Sequence, residues 1–168
     1  RLLLFSVRKS LYGRSRELPE LEDHIVKCVG QEVYDGDIYS KYSKEDIEKA
    51  NGYIDHNRDF LFTYAGLRQV VDKYLVQDRS TGKVYETPQF MYMMIALTIF
   101  AEYPKETRLN YVRRYYDAIS RHRINIPTPI MAGVRTPIRQ FASRVVVDIG
   151  GTLASIFRSD MATGNEVA

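Results

Sequence analysis

The sequence predicts a mainly α fold with one small β-hairpin and a single buried strand toward its C-terminal side. Three observations carry this. Apolar residues recur at three- and four-residue intervals over most of the first 123 positions. A Gly-closed turn separates two short β-favouring runs within about residues 74–87. After Ile124, Pro127, Pro129, Gly133 and Pro137 break the helical texture ahead of the β-branched run Ser143-Arg144-Val145-Val146-Val147-Asp148.

Taken in order, an opening helix runs to about Leu11 and stops at Gly13, and a second spans Leu21 to Val29. The second carries Leu21, Ile25 and Cys28 on one face before Gly30 ends it. Ser43 with Asp46 three residues on forms a capping-box pattern that opens a helix toward Ile54. Asp59 is the expected cap of the next helix, with Phe60, Tyr64, Leu67, Val71 and Tyr74 as its core stripe. Tyr74-Leu75-Val76-Gln77 and Lys83-Val84-Tyr85 flank Asp78–Gly82 as the hairpin. Thr87 as N-cap and Pro88 at the first helical position start a central helix, apolar from Met91 to Phe100 and so buried on several sides. A helix from about Lys105 to Arg121 turns Leu109, Val112, Tyr116 and Ile119 inward. The segment after Ile124 is too rich in proline for a regular helix, and a final helix is expected from Thr152. The strand at 143–148 lacks an evident partner, which points to a fragment, because an isolated buried strand leaves its backbone polar groups unpaired.

Composition narrows the function classes. The 168 residues are 45% hydrophobic and 27% charged, enough to bury a core. The 24 basic and 21 acidic residues are interleaved, leaving a net charge of +3, and imply no nucleic-acid partner. The longest apolar stretch, Met91 to Ala101, is too short to span a bilayer, so no membrane partner is expected. Charges at Arg8 and Lys9 interrupt the apolar start before it can serve as a signal peptide. The single cysteine, Cys28, excludes an internal disulfide and fits a reducing, cytoplasmic compartment. It lies on an apolar helix face, where a thiol behaves as an inert small hydrophobe. His24, His56 and His122 are scattered without metal-ligand spacing. Arg113, Arg114, Arg121 and Arg123, with His122, read as a solvated helix face rather than a phosphate-binding one.

Two runs carry a resemblance. Leu75-Val76-Gln77-Asp78-Arg79-Ser80-Thr81-Gly82-Lys83-Val84-Tyr85-Glu86-Thr87-Pro88-Gln89-Phe90 is one. Pro127-Thr128-Pro129-Ile130-Met131-Ala132-Gly133-Val134-Arg135-Thr136-Pro137-Ile138-Arg139-Gln140-Phe141, the more specific, is the other. Both resemble the class I ribonucleotide reductase large (alpha) subunit, and Ile54–Asp59 and Glu106–Leu109 extend the likeness over nearly the whole chain. The resemblance implies that residues 1–123 form the family's helical N-terminal domain and that 124–168 begin its ten-stranded α/β barrel. It implies an oxidoreductase role in deoxyribonucleotide synthesis for DNA replication, with nucleotide (ATP-type) binding and allosteric control. No cofactor is expected in this chain itself, since the family uses a radical-generating small subunit and a dithiol reductant. The implied partners are the remaining portion of the large subunit, the small subunit, a second large subunit and nucleotides. The likeness begins after the family's regulatory ATP-cone and stops before its radical cysteine, acidic catalytic residue and shuttle cysteines.

Position by position, the resemblance makes Thr128 and Ser143 substrate contacts, Thr128 toward the phosphate. From residue type alone, Thr128 between two prolines presents its hydroxyl from a stiff, non-helical backbone. No catalytic residue is assigned: Arg144 stands where the family has one of its two reducing cysteines, and a guanidinium forms neither thiolate nor disulfide. Gly151, Thr152 and Leu153 take effector-binding positions, although Gly151 replaces the aspartate that accepts the ribose hydroxyl and Ala154 continues the loss of charge. Two function classes stay open. One is a segment or split subunit of the reductase, inactive alone; the other is a non-catalytic helical interaction module, descended or engineered from it.

Overall fold

The computed structural model describes residues 1–13, 17–138 and 141. The helix α6, Pro88–Ile99, is its centre, with every residue from Pro88 to Leu97 buried. A helix apolar on all sides is stable only when other elements surround it. Against it lie α7 (Lys105–Ser120), the 3₁₀ helix His56–Leu61 and the short α8 (Thr128–Gly133). α2 (Leu21–Gly30) packs on α4 (Lys44–Asn51), α4 also meets α7, and α1 (Leu2–Tyr12) meets α5 (Tyr64–Lys73). A single-turn α3, Ile38–Lys41, joins α2 to α4.

Local chemistry explains most boundaries. α1 ends on Gly13, left-handed at φ 68°, where a Cβ would be strained. The Ser43–Asp46 capping box forms reciprocally, Ser43 Oγ accepting from the Asp46 N–H and Asp46 from the Ser43 N–H. β1 (Gln77–Asp78) pairs antiparallel with β2 (Lys83–Val84), Gln77 opposite Val84. Gly82, at φ 69°, closes that turn, and its N–H donates to the Asp78 carbonyl at 2.8 Å. Pro88 opens α6 as the sequence predicts, although the Thr87 side chain makes no capping bond.

Several expectations are corrected. Gly30 is the last residue of α2 rather than the first one beyond it: Gln31 is the C-cap, and the left-handed exit falls on Glu32 at φ 58°. α4 ends at Asn51 rather than near Ile54. Asp59 caps nothing; it is buried within the 3₁₀ helix, and the cap of α5 is Thr63, whose Oγ1 accepts from the Gly66 N–H at 3.1 Å. Tyr64, counted in the α5 stripe, is 74% exposed because it sits at the first helical position, before the buried face begins. On α7, Leu109 is only half-buried, while its neighbour Arg108 is buried, over the Tyr42 ring at 4.2 Å and paired with Asp46 at 2.6 Å.

The proline-rich segment does contain a helix, α8. Pro127 is its N-cap and Pro129 lies in its first turn, where a missing N–H removes no helical hydrogen bond. The strand 143–148 and the helix from Thr152 lie outside the described residues.

Candidate functional site

The segment singled out by its Thr-Pro pattern is held by a buried polar cluster that periodicity did not reveal. α8 is six residues long and none of them is fully buried, although Ile130 and Met131 rest against the core. Two residues past it comes Arg135, whose side chain is wholly buried. Its Nε donates to both Glu86 oxygens, at 3.1 and 2.9 Å, and its Nη2 to Glu86 Oε1. Nη2 also reaches the Tyr74 carbonyl at 2.9 Å, and Nη1 the Met131 carbonyl at 2.6 Å. Glu86 in turn accepts from the Tyr34 hydroxyl and, at 2.7 Å, from the Val76 N–H. The carboxylate and guanidinium therefore satisfy one another within a shell of backbone groups, the condition under which a buried pair is tolerated. Burial disfavours the charge on Arg135, but Glu86 outweighs it and holds the guanidinium above its ordinary range.

The cluster continues inward. His24, on α2, has Nε2 3.1 Å from the Tyr34 hydroxyl and Nδ1 3.4 Å from the Tyr12 hydroxyl, and its ring stacks on Phe90 with centroids 4.2 Å apart. Because Tyr34 gives its proton to Glu86, its oxygen is left to accept from His24 Nε2, which makes Nδ1 the bare nitrogen facing Tyr12. Burial first, then the charges of Lys27, His56 and Arg135, pushes His24 down to about 3. Cys28 lies one turn on, fully buried, its thiol pushed up to about 12 by burial and by Glu86. A second buried chain ties α1 to α6 and α7: Arg8 Nη2 to Asp59 at 2.8 Å, Gln89 Nε2 to Asp59 at 3.0 Å, and Tyr116 hydroxyl to Gln89 Oε1 at 2.7 Å.

Thr128, the one sequence-predicted site residue among those described, is exposed at the first position of α8. Its backbone is helical, not the non-helical one expected, since Pro127 and Pro129 are both compatible with a helix start. Ser143, Arg144, Gly151, Thr152 and Leu153 lie outside the described residues. A pocket of about 270 Å³ opens beside the other end of α8, with Val134, Phe141, Asp35, Lys41 and Glu102 in its wall. Thr128 is not part of it. Arg113, Arg114, Arg121 and Arg123 are exposed, matching a solvated face, and Arg113 lies over the Tyr53 ring at 5.3 Å. Among the described residues no three of His, Cys, Asp and Glu gather as a metal-holding group, and no helix is long and apolar enough to cross a membrane.

Arg135 and Glu86 are the residues that sequence reasoning missed. Both lie inside the two quoted motifs, yet 49 positions separate them and neither belongs to an apolar period that would have paired them.

The described residues form a mainly helical body around α6 that leaves Thr128 exposed at the start of α8. Residues 60–139 match the family described as "Ribonucleotide reductase, all-alpha domain". The chain is 49% identical, over 93% of its length, to the ribonucleoside-diphosphate reductase 1 subunit alpha of Escherichia coli K12, and equally so to the subunit alpha of Haemophilus influenzae. It is 47% identical over the same share to the subunit alpha of enterobacteria phage T4. In each case the matched region is 20% of the relative, so the chain spans about a fifth of their length. The chain belongs to the class I ribonucleotide reductase large-subunit family and corresponds to one segment of that subunit.

Proposed function

We propose that this chain acts as a segment of a ribonucleoside-diphosphate reductase large subunit, supplying substrate and effector elements to deoxyribonucleotide synthesis and inactive by itself. The observation that carries the reading is the Thr-Pro segment, kept within a chain 49% identical to two reductase alpha subunits. On this reading residues 1–123 are the helical N-terminal domain and 124–168 the start of the barrel. Thr128 and Ser143 contact the substrate, and Gly151, Thr152 and Leu153 belong to the effector site. The exposure of Thr128 fits such a role, because its hydroxyl is not committed inside the fold. The partners are the remainder of the large subunit, a radical-generating small subunit, a second large subunit and nucleotides. Electrons come from a dithiol.

Inactivity of the isolated chain follows from residue type. Arg144 stands at the position of a reducing cysteine and cannot cycle between thiol and disulfide, and Cys28 is buried with its thiol protonated. Arg144 and Gly151 also favour the second reading, a non-catalytic interaction module that kept the fold while its redox and ribose-binding side chains were lost.

The experiment is a deoxyribonucleotide assay with ribonucleoside diphosphate, small subunit and dithiol. The isolated chain should give no product; detectable conversion would refute its inactivity. The chain carrying Arg144→Cys, combined with the complementary portion of the E. coli large subunit, should turn over. Association of the two pieces without turnover would favour the interaction module.

A further inference from the structure

We propose that the buried Arg135–Glu86 pair is a positioning clamp, holding α8 against the helical body so that Thr128 is presented at one fixed place. The role given to that place rests on the reading of Thr128 as a contact for substrate phosphate.

Apolar packing holds α8 only in part, through Ile130 and Met131 against the core. Six residues are too few to keep a helix by propensity, and none of these six is fully buried. Arg135 adds a polar anchorage to this partial apolar packing. Its Nη1 holds the Met131 carbonyl at 2.6 Å, three residues from Thr128 and within one turn of it. Its Nη2 reaches the Tyr74 carbonyl beyond α5, and its own carbonyl accepts from the Asp35 N–H at 3.0 Å, ahead of α3. Glu86, just before α6, anchors the guanidinium and is itself fixed by Tyr34 and Val76. One residue thus ties α8 to three separate parts of the body, to Tyr74 and Glu86 by its side chain and to Asp35 by its main chain. The planar fork is essential: a lysine carries the charge but cannot face a carboxylate and two carbonyls together.

A threonine held in this way loses little freedom when it meets a ligand, and that saving appears as affinity. Arg135 and Glu86 touch no substrate on this account; they are positioning residues.

The test uses the ¹⁵N-labelled whole chain with inorganic pyrophosphate as probe, comparing the natural sequence with Arg135→Lys, Glu86→Gln and Thr128→Val. Two readouts are taken: amide hydrogen exchange at Asp35, Met131 and Val134 against the amides of α7, and the pyrophosphate dissociation constant from the shift of the Thr128 signal or its replacement. Arg135→Lys should speed exchange at the three amides with α7 unchanged, and weaken pyrophosphate about tenfold. Glu86→Gln keeps the shape and acceptor of the carboxylate but not its charge. It should act in the same direction, and it carries the test if Arg135→Lys does not fold. Unchanged exchange at Asp35, Met131 and Val134 in a folded variant overturns the clamp. So does faster exchange with undiminished pyrophosphate affinity, provided that Thr128→Val weakens binding. A natural chain indifferent to pyrophosphate, or Thr128→Val binding as well as it, overturns instead the phosphate reading on which the positioning role rests.

Discussion

Acidification from pH 7 to 4.5 should remove a large share of the stability of this domain, and His24 should account for about half of the loss. In the folded chain His24 is 1% exposed, stacked on Phe90 and hydrogen-bonded as a neutral imidazole. Its proton affinity falls from the ordinary 6.5 to about 3. The sign follows from that direction. Below pH 6.5 the unfolded imidazole takes up a proton that the folded one refuses, so the stability present above 6.5 is lost progressively as the pH falls toward 3. At pH 4.5 the unfolded group is about a hundredfold protonated and the folded one still neutral, a loss of about 3 kcal/mol. His56, edge-on to Phe90 from a separate element and lowered to about 4 by burial and by Arg8, adds an amount of the same order. Asp59 opposes them, since burial raises it and a raised carboxyl favours the fold as pH falls. The lowered carboxyls Asp46 and Asp78 lose their contribution mainly below this window. With a urea slope of roughly 2 kcal/mol per molar, His24 alone should lower the midpoint by about 1 to 2 M. His24→Gln keeps a donor and an acceptor but cannot titrate. Its absolute stability at pH 7 will fall with the lost stacking, so the quantity to compare is the difference between pH 7 and 4.5, which should shrink by about half. The same difference in His24→Gln as in the natural chain would refute the argument.

Two further outcomes follow from the buried groups. Arg8→Met should cost about 3 kcal/mol at pH 7 in urea unfolding, because Asp59 loses a charged partner in a dry site, and the cost should shrink as the pH falls, since burial makes the Asp59 carboxyl easier to protonate; a loss below about 1 kcal/mol at pH 7 would mean that the pair behaves like a surface one. The thiol of Cys28, fully buried and pushed up to about 12, should react with a disulfide reagent at least about a hundredfold more slowly in the folded chain than in urea, and comparable rates would show that α2 opens readily.

Most helices could be read from the sequence because their information is local. Leu21, Ile25 and Cys28 on α2, or Val112, Tyr116 and Ile119 on α7, announce a buried stripe by spacing alone. The Ser43–Asp46 box and Pro88 mark their helix starts in the same way. What stayed hidden depends on partners far along the chain. The burial of Arg108 requires Asp46, 62 positions away, and that of Arg135 requires Glu86, 49 positions away. α8 was missed for a different reason: proline breaks helices by position, and neither Pro127 nor Pro129 sits where a helical N–H is needed. The candidate site was legible at Thr128 only through the motif around it, because an exposed threonine has no periodicity to betray it.

The burial of α6 from Pro88 to Leu97 also carries a consequence for synthesis of the chain. Its apolar surface leaves the ribosome after α1 to α5, which can shelter part of it, but before α7, which packs along another side. Adding the roughly twenty residues that complete α7 takes about 1 to 4 s at ordinary translation rates of ~5–20 residues per second. Throughout that interval one flank of a ten-residue apolar segment is open to other nascent chains. Crowded polysomes and slow decoding during the emergence of α7 from the tunnel should therefore lower the yield of folded chain, whereas a holding chaperone at the tunnel exit should restore it.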